Sequence, residues 1–112
     1  MRGFSDEQKR TIKKRDNDCC QLCSSSKRQR QIHHLFSQSS YPLLANVLLN
    51  GLTLCEICHA KFHDFCPNGT NSGDDFLIFL DDQFNSHRFT NARRLKKRIA
   101  PIVRELRFLL LI

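Results

Sequence analysis

Apolar residues are sparse along the chain, and their spacing predicts a run of short elements. Phe4-Ser5-Asp6-Glu7-Gln8 has the form of a helix start: Ser5 can cap, Gln8 can return the bond, and Asp6 and Glu7 suit the positive end of the dipole. The helix is expected to run to about Asp16 with Phe4 and Ile12 as its main anchors. That apolar face is too thin to stand alone, so the helix must pack, leaving Lys9, Arg10, Lys13, Lys14 and Arg15 facing outward. Arg30 to Leu35 and Leu52 to Leu54 read as strands, joined by a Ser/Gln/Pro-containing loop over 37–46. Cys55 to Phe65 holds no Pro or Gly and reads as a helix.

The turn cluster Cys66 to Asn71 comes next. Ser72 can then cap a short helix with Asp75 at the box position, which puts Phe76, Leu77, Phe79 and Leu80 on one face; a buried strand is the competing assignment. Thr90 or Asn91 opens a last helix with the stripe Leu95, Ile99, Ile102, Val103, Leu106, Leu109 and Leu110, which Pro101 should kink or restart. No internal repeat or long linker interrupts the pattern.

Composition sharpens this picture. A chain of 112 residues with 40% apolar content fits one domain with a modest core, which invites reinforcement by a metal or a covalent bond. The apolar runs are too short to span a bilayer, and the basic N-terminus leads into no cleavage signature. An unsecreted, cytoplasmic protein is therefore expected, with an organelle left open, and its six cysteines are read as reduced metal-binding thiols. Charge is segregated: Lys/Arg outnumber Asp/Glu nine to four in residues 1–30 and eight to one in 88–112, but trail one to six between them. Two cationic ends suit a polyanion, because clustered Lys/Arg displace counterions from phosphates. The candidate contacts are Lys9, Lys13 and Lys14 in the first helix and Arg93, Arg94, Lys96 and Lys97, beside Arg88 and Arg98, in the last. The apolar end Phe108 to Ile112 either covers the core or forms a homodimer interface on the C-terminal helix, the first being favoured.

Two constellations carry chemistry. Cys20-x-x-Cys23 and Cys55-x-x-Cys58 supply four soft thiolates, the set that closes a tetrahedral structural zinc site with no open position. Cys19 competes with Cys20 at a poorer spacing, and Cys66 has no partner at knuckle spacing. The second constellation is His33-His34 with His59 and His63. On a helix the last two share a face, while Cys58 and His59 diverge around it, so two separate sites follow. Neighbours on a strand point to opposite sides, which divides His33 and His34 into one ligand and one base. His87 lies outside these motifs and is assigned no role.

Arg15-Asp16-Asn17 with Cys20-x-x-Cys23, then Ile32-His33-His34-Leu35, then Asn50-Gly-Leu-Thr-Leu-Cys55-x-x-Cys58-His59-x-x-x-His63 resembles the HNH endonuclease family in its zinc-stapled form. Tyr41-Pro42, Asn50-Gly51, Phe62-His63 and Asn71-Ser72 before Phe76-Leu77 and Phe79-Leu80 are similar to small homing endonucleases of phages, cyanobacteria and organelles. Cys66-Pro67 departs from the aromatic and glycine of many relatives, and the resemblance covers about residues 10–80, leaving 83–112 outside it.

The resemblance implies an α+β fold: a small ββα-metal finger with a four-cysteine zinc site, flanked by an N-terminal helix and basic C-terminal helices. Residues 1–82 would be the nuclease domain and 83–112 a basic helical extension. It further implies His34 as general base, oriented by Asn50 through the loop backbone, and His33, His59 and His63 as ligands of one catalytic divalent ion, Mg2+ or Mn2+. The implied activity is hydrolysis of phosphodiester bonds in double-stranded DNA by a homing or mobile-element enzyme. A phage packaging or recombination nuclease, and a non-catalytic zinc-finger module, are the alternatives.

Overall fold

The computed structural model describes residues 3–85 and 91–111, so His87, Arg88, Thr90 and Ile112 lie outside it. The chain runs α1 (Asp6–Arg15), β1 (Arg30–His34), two single-turn 3₁₀ helices (Pro42–Leu44 and Leu48–Asn50), β2 (Gly51–Cys55), α2 (Glu56–Phe65), α3 (Gly73–Asn85) and α4 (Ala92–Leu109). The strands form one antiparallel pair in which Arg30 faces Cys55 and His34 faces Gly51. This is the mixed α+β architecture expected. Among the described residues no helix is long and apolar enough to cross a membrane.

Helix α1 starts where its sequence says it should, with Ser5 Oγ accepting from the Gln8 N–H at 3.1 Å and Gln8 Oε1 accepting from the Ser5 N–H at 3.0 Å. Its buried anchors Phe4 and Ile12 press on β2 at Gly51. A Cβ there would sit 2.5 Å from Ile12 Cδ1 and 2.9 Å from Phe4 Cζ, so the absence of a side chain lets the helix dock. Asp16 closes α1 and is 2% exposed. Its carboxylate receives both Arg15 nitrogens at 2.8 Å and the Thr53 N–H at 2.9 Å, with Arg98 of α4 at 3.6 Å. Arg15 is exposed, as expected, and also ties α1 to β2, for it donates to the Gly51 carbonyl at 2.7 Å. A buried carboxylate needs this compensation.

The competition at 73–85 goes to the helix. Phe76, Phe79 and Leu80 are fully buried while Ile78 is 56% exposed, a pattern no alternating strand produces. Asp75 anchors its start by accepting from the Ser72 N–H at 2.8 Å. Helix α4 runs through Pro101 without restarting. Pro101 and Lys97 are both exposed, so the carbonyl that proline leaves unpaired faces water and the interruption costs little. Leu95, Ile99, Val103 and Leu106 of α4 share one core cluster with Leu22, Leu52, Phe62 and Phe79, whereas Leu109 and Phe108 are exposed. The boundary expected between residues 82 and 83 falls inside α3, and α4 is a wall of the common core because an 18-residue amphipathic helix has no other surface to cover.

Candidate metal centres and active site

The two cysteine pairs meet at the base of the hairpin. Their four sulfurs lie within 4.8 Å of one another, and Cys23 Sγ is 3.7 Å from Cys55 Sγ. Zinc–sulfur bonds of about 2.3 Å in a tetrahedron place sulfurs about 3.8 Å apart, so the donor set fits that ion. Each pair is a knuckle in which an N–H returns to the first thiol: Cys23 N to Cys20 Sγ and Cys58 N to Cys55 Sγ, both 3.4 Å. The thiols share charge unequally. Hydrogen bonding from Cys58 pulls Cys20 down to about 4, the same bond followed by burial pushes Cys58 up, and burial raises Cys23. A cluster that already favours one thiolate suits a divalent cation. Cys20 rather than Cys19 joins the set; Cys19 Sγ lies 3.5 Å from the Asp16 carbonyl, and Cys66 is separate.

The histidines occupy the other side of α2 and the far end of β1. Strand alternation sends His33 inward, 1% exposed, and His34 toward α1. The His33 ring packs edge-on against Phe62 at 4.7 Å and tilted against Phe76 at 4.9 Å, and its Nε2 is buried without a hydrogen-bond partner. Burial first, then His59 and His63, hold its pKa well below the usual imidazole range. His59 is pushed down to about 4 by burial and then by His63. His59 Nδ1 donates to Gln31 Oε1 at 2.5 Å, which leaves Nε2 as its lone-pair atom, 3.0 Å from His63 Nε2. Either one ring donates to the other or both turn lone pairs onto a shared cation. His33 lies near this pair, with its ring centre 5.5 Å from that of His59 and 6.4 Å from that of His63, in a cavity of about 500 Å3 that all three line. This imidazole set is looser than the thiol set, and its orphaned buried nitrogen is what a cation would satisfy.

His34 lines the same cavity. Its Nε2 lies 2.9 Å from the Ala45 carbonyl, which can only accept, so the ring proton sits on Nε2 and Nδ1 keeps its lone pair. Burial lowers its pKa, the Ala45 bond opposes that, and nearby Lys9 lowers it further.

Residues 20–65 match the HNH endonuclease family model. They hold the four clustered cysteines, the hairpin and α2, and they are similar to HNH endonuclease domains. No curated protein and no solved structure matches the chain. Asn50 of the matched segment is fully buried and its side chain makes no hydrogen bond to His34. Its amide accepts from the Phe36 N–H at 2.8 Å and donates to the Phe36 and Leu44 carbonyls at 3.0 and 3.1 Å, which holds the loop whose next carbonyl, Ala45, grips the histidine.

Three further residues serve the site and were not singled out as site residues from sequence. Phe4 stacks on the His34 ring with centres 4.6 Å apart, Gln31 orients His59, and Asn71 donates to the carbonyls of His34 and Leu35 at 3.2 and 3.0 Å. Phe4 and Asn71 lie outside the matched segment, and only the strand position of Gln31, two residues before His33, could have flagged it.

The expected phosphate contacts separate into two groups. Lys9 and Lys13 line a second cavity beside the imidazoles, while Lys14 is exposed elsewhere on α1. On α4, Lys96 pairs with Asp81 at 2.8 Å and Arg93 sits 5.5 Å over the Phe84 ring, whereas Arg94 and Lys97 are exposed.

Proposed function

We propose that the chain is a metal-dependent DNA endonuclease with His34 as general base. The observation that carries this reading is the His34 tautomer. The Ala45 carbonyl holds the proton on Nε2 and so keeps Nδ1 ready to take one from water, in a cavity shared with three further imidazoles. His33, His59 and His63 would hold a divalent ion, Mg2+ or Mn2+, and burial keeps the rings of His33 and His59 neutral. When bound, that ion would supply charge neutralisation at the phosphorus and the leaving oxygen. Asn50 acts as a positioning residue through Leu44 and Ala45, and Gln31 fixes the His59 ring. The four-cysteine zinc has no open position and is structural.

Duplex DNA is the substrate this chemistry calls for, drawn by a net charge of +7 concentrated at the two ends of the chain. Lys14, Arg93, Arg94, Lys96 and Lys97 add to that attraction. The resemblance of the flanking motifs favours a homing or mobile-element enzyme over a packaging or recombination nuclease. Phe108 and Leu111, 60% and 81% exposed, favour a homodimer through the end of α4, which light scattering decides.

The test is nicking of supercoiled plasmid in magnesium or manganese. His34→Ala should keep its zinc and its DNA binding and lose about 100-fold or more in rate, the usual worth of a general base. Equal nicking by variant and parent overturns the base assignment. A parent that binds DNA and never nicks is the non-catalytic zinc-finger module.

A further inference from the structure

The imidazole cavity shares a wall with a second one of about 380 Å3, formed by Ile32, His34, Gln38 and His59. The rest of the second cavity is built by Phe4, Lys9 and Lys13 from the start of the chain and by Arg30 and Gln31 of β1. Among the described residues no carboxylate lines either cavity. Arg30 is committed elsewhere: it pairs with Asp18 at 3.0 Å and donates to the carbonyls of Ser26 and Arg28. Lys9 and Lys13 are different, for neither pairs with a carboxylate among the described residues, and Lys9 is close enough to His34 to act on its charge. Four residues apart on α1, they stand one above the other on one face, about 6 Å along the axis. That is a ladder of two uncompensated cations beside the proposed base. Helix α4, the richer source of cations, contrasts with it. Lys96, Arg98 and Arg107 are paired with Asp81, Asp16 and Asp74, and among the described residues no α4 cation lines either imidazole-lined cavity.

We propose that Lys9 and Lys13 form a phosphate track, a groove that takes the backbone phosphates next to the phosphodiester presented to His34, and that the paired cations of α4 take no direct part in it. The proposal rests on the nuclease reading for the identity of the polyanion, while the groove itself stands on its own geometry. Both lysines lie outside the matched segment. The track therefore makes α1 the element that sets how a strand crosses the site.

Binding of a fluorescein-labelled 20-base-pair duplex to the full zinc-loaded chain, followed by anisotropy across a salt series without added magnesium, tests this. For Lys9→Gln/Lys13→Gln the slope of log K against log salt should fall by about two, and binding should weaken about tenfold or more. Lys9→Arg/Lys13→Arg should restore both, and Arg107→Gln should stay within about twofold of the parent. A slope unchanged by the glutamines, or not rescued by the arginines, overturns the track. The same slopes in a parent that does not nick plasmid support the track while removing the nuclease reading.

Discussion

At the scale of single residues, the site is held in a state that folding alone would not choose. His33 keeps an imidazole nitrogen buried without a partner between Phe62 and Phe76, an arrangement that costs about 1–3 kcal/mol. His33→Leu removes the orphan at similar volume. It should abolish magnesium-dependent nicking and yet raise the melting temperature measured without magnesium by several degrees, roughly 4–8 °C per kcal/mol in a domain of this size. A purely structural histidine would show no such opposition of stability and activity.

The pH dependence has a definite sign. The folded-state pKa of His33, like those of His34 and His59, lies below its unfolded value, so the unfolded chain binds more protons. The stability from keeping these rings neutral is complete above the ordinary histidine range and is lost as pH falls below it, near 6.5. Thermal melts at pH 7.5 and 5.5 should show the loss, and His33→Leu should flatten the difference.

At the scale of elements, the contact that matters most is α1 on the hairpin. The helix has two apolar anchors, and both land on Gly51, whose strand partner is His34. Gly51→Ala would force Ile12 and Phe4 outward, and overpacking of this kind costs about 1–3 kcal/mol. Since Phe4 also stacks on His34, the substitution should reduce nicking more than it reduces zinc content, a split readable from plasmid assays beside metal analysis. The capping signals that place α1 and α3 are local and were plain in the sequence at Ser5 and Ser72. The continuity of α4 through Pro101 was not, because it depends on that face of the helix meeting water.

At the scale of the whole molecule, the four-sulfur cluster joins the segment after α1 to the β2–α2 junction. The core around it is modest for a chain with 40% apolar residues. Removing zinc with a chelator should therefore unfold the chain, with loss of helical circular dichroism and of DNA binding together. Persistence of the helical signal after metal analysis shows zinc gone would refute the structural role. One hydrophobic cluster binds α4 to the HNH segment, so truncation at residue 82 would expose Leu52, Phe62 and Phe79 rather than release a separate unit.

The amino-acid sequence by itself determined whatever rests on short-range spacing: the capping box at Ser5, the two C-x-x-C knuckles, the i, i+4 pair His59 and His63, and the alternation that divides His33 from His34. Tertiary structure decided what depends on groups far apart in the chain. It put Phe4 on the ring face of His34 and the Ala45 carbonyl at its Nε2, spent Arg98 on the buried Asp16, paired Lys96 with Asp81, and left Lys9 and Lys13 beside the imidazoles. Spacing along a chain fixes which side chains share a face. Which charges are neutralised, and which lone pairs are left open, is settled only when separate faces close on one another and water is excluded between them.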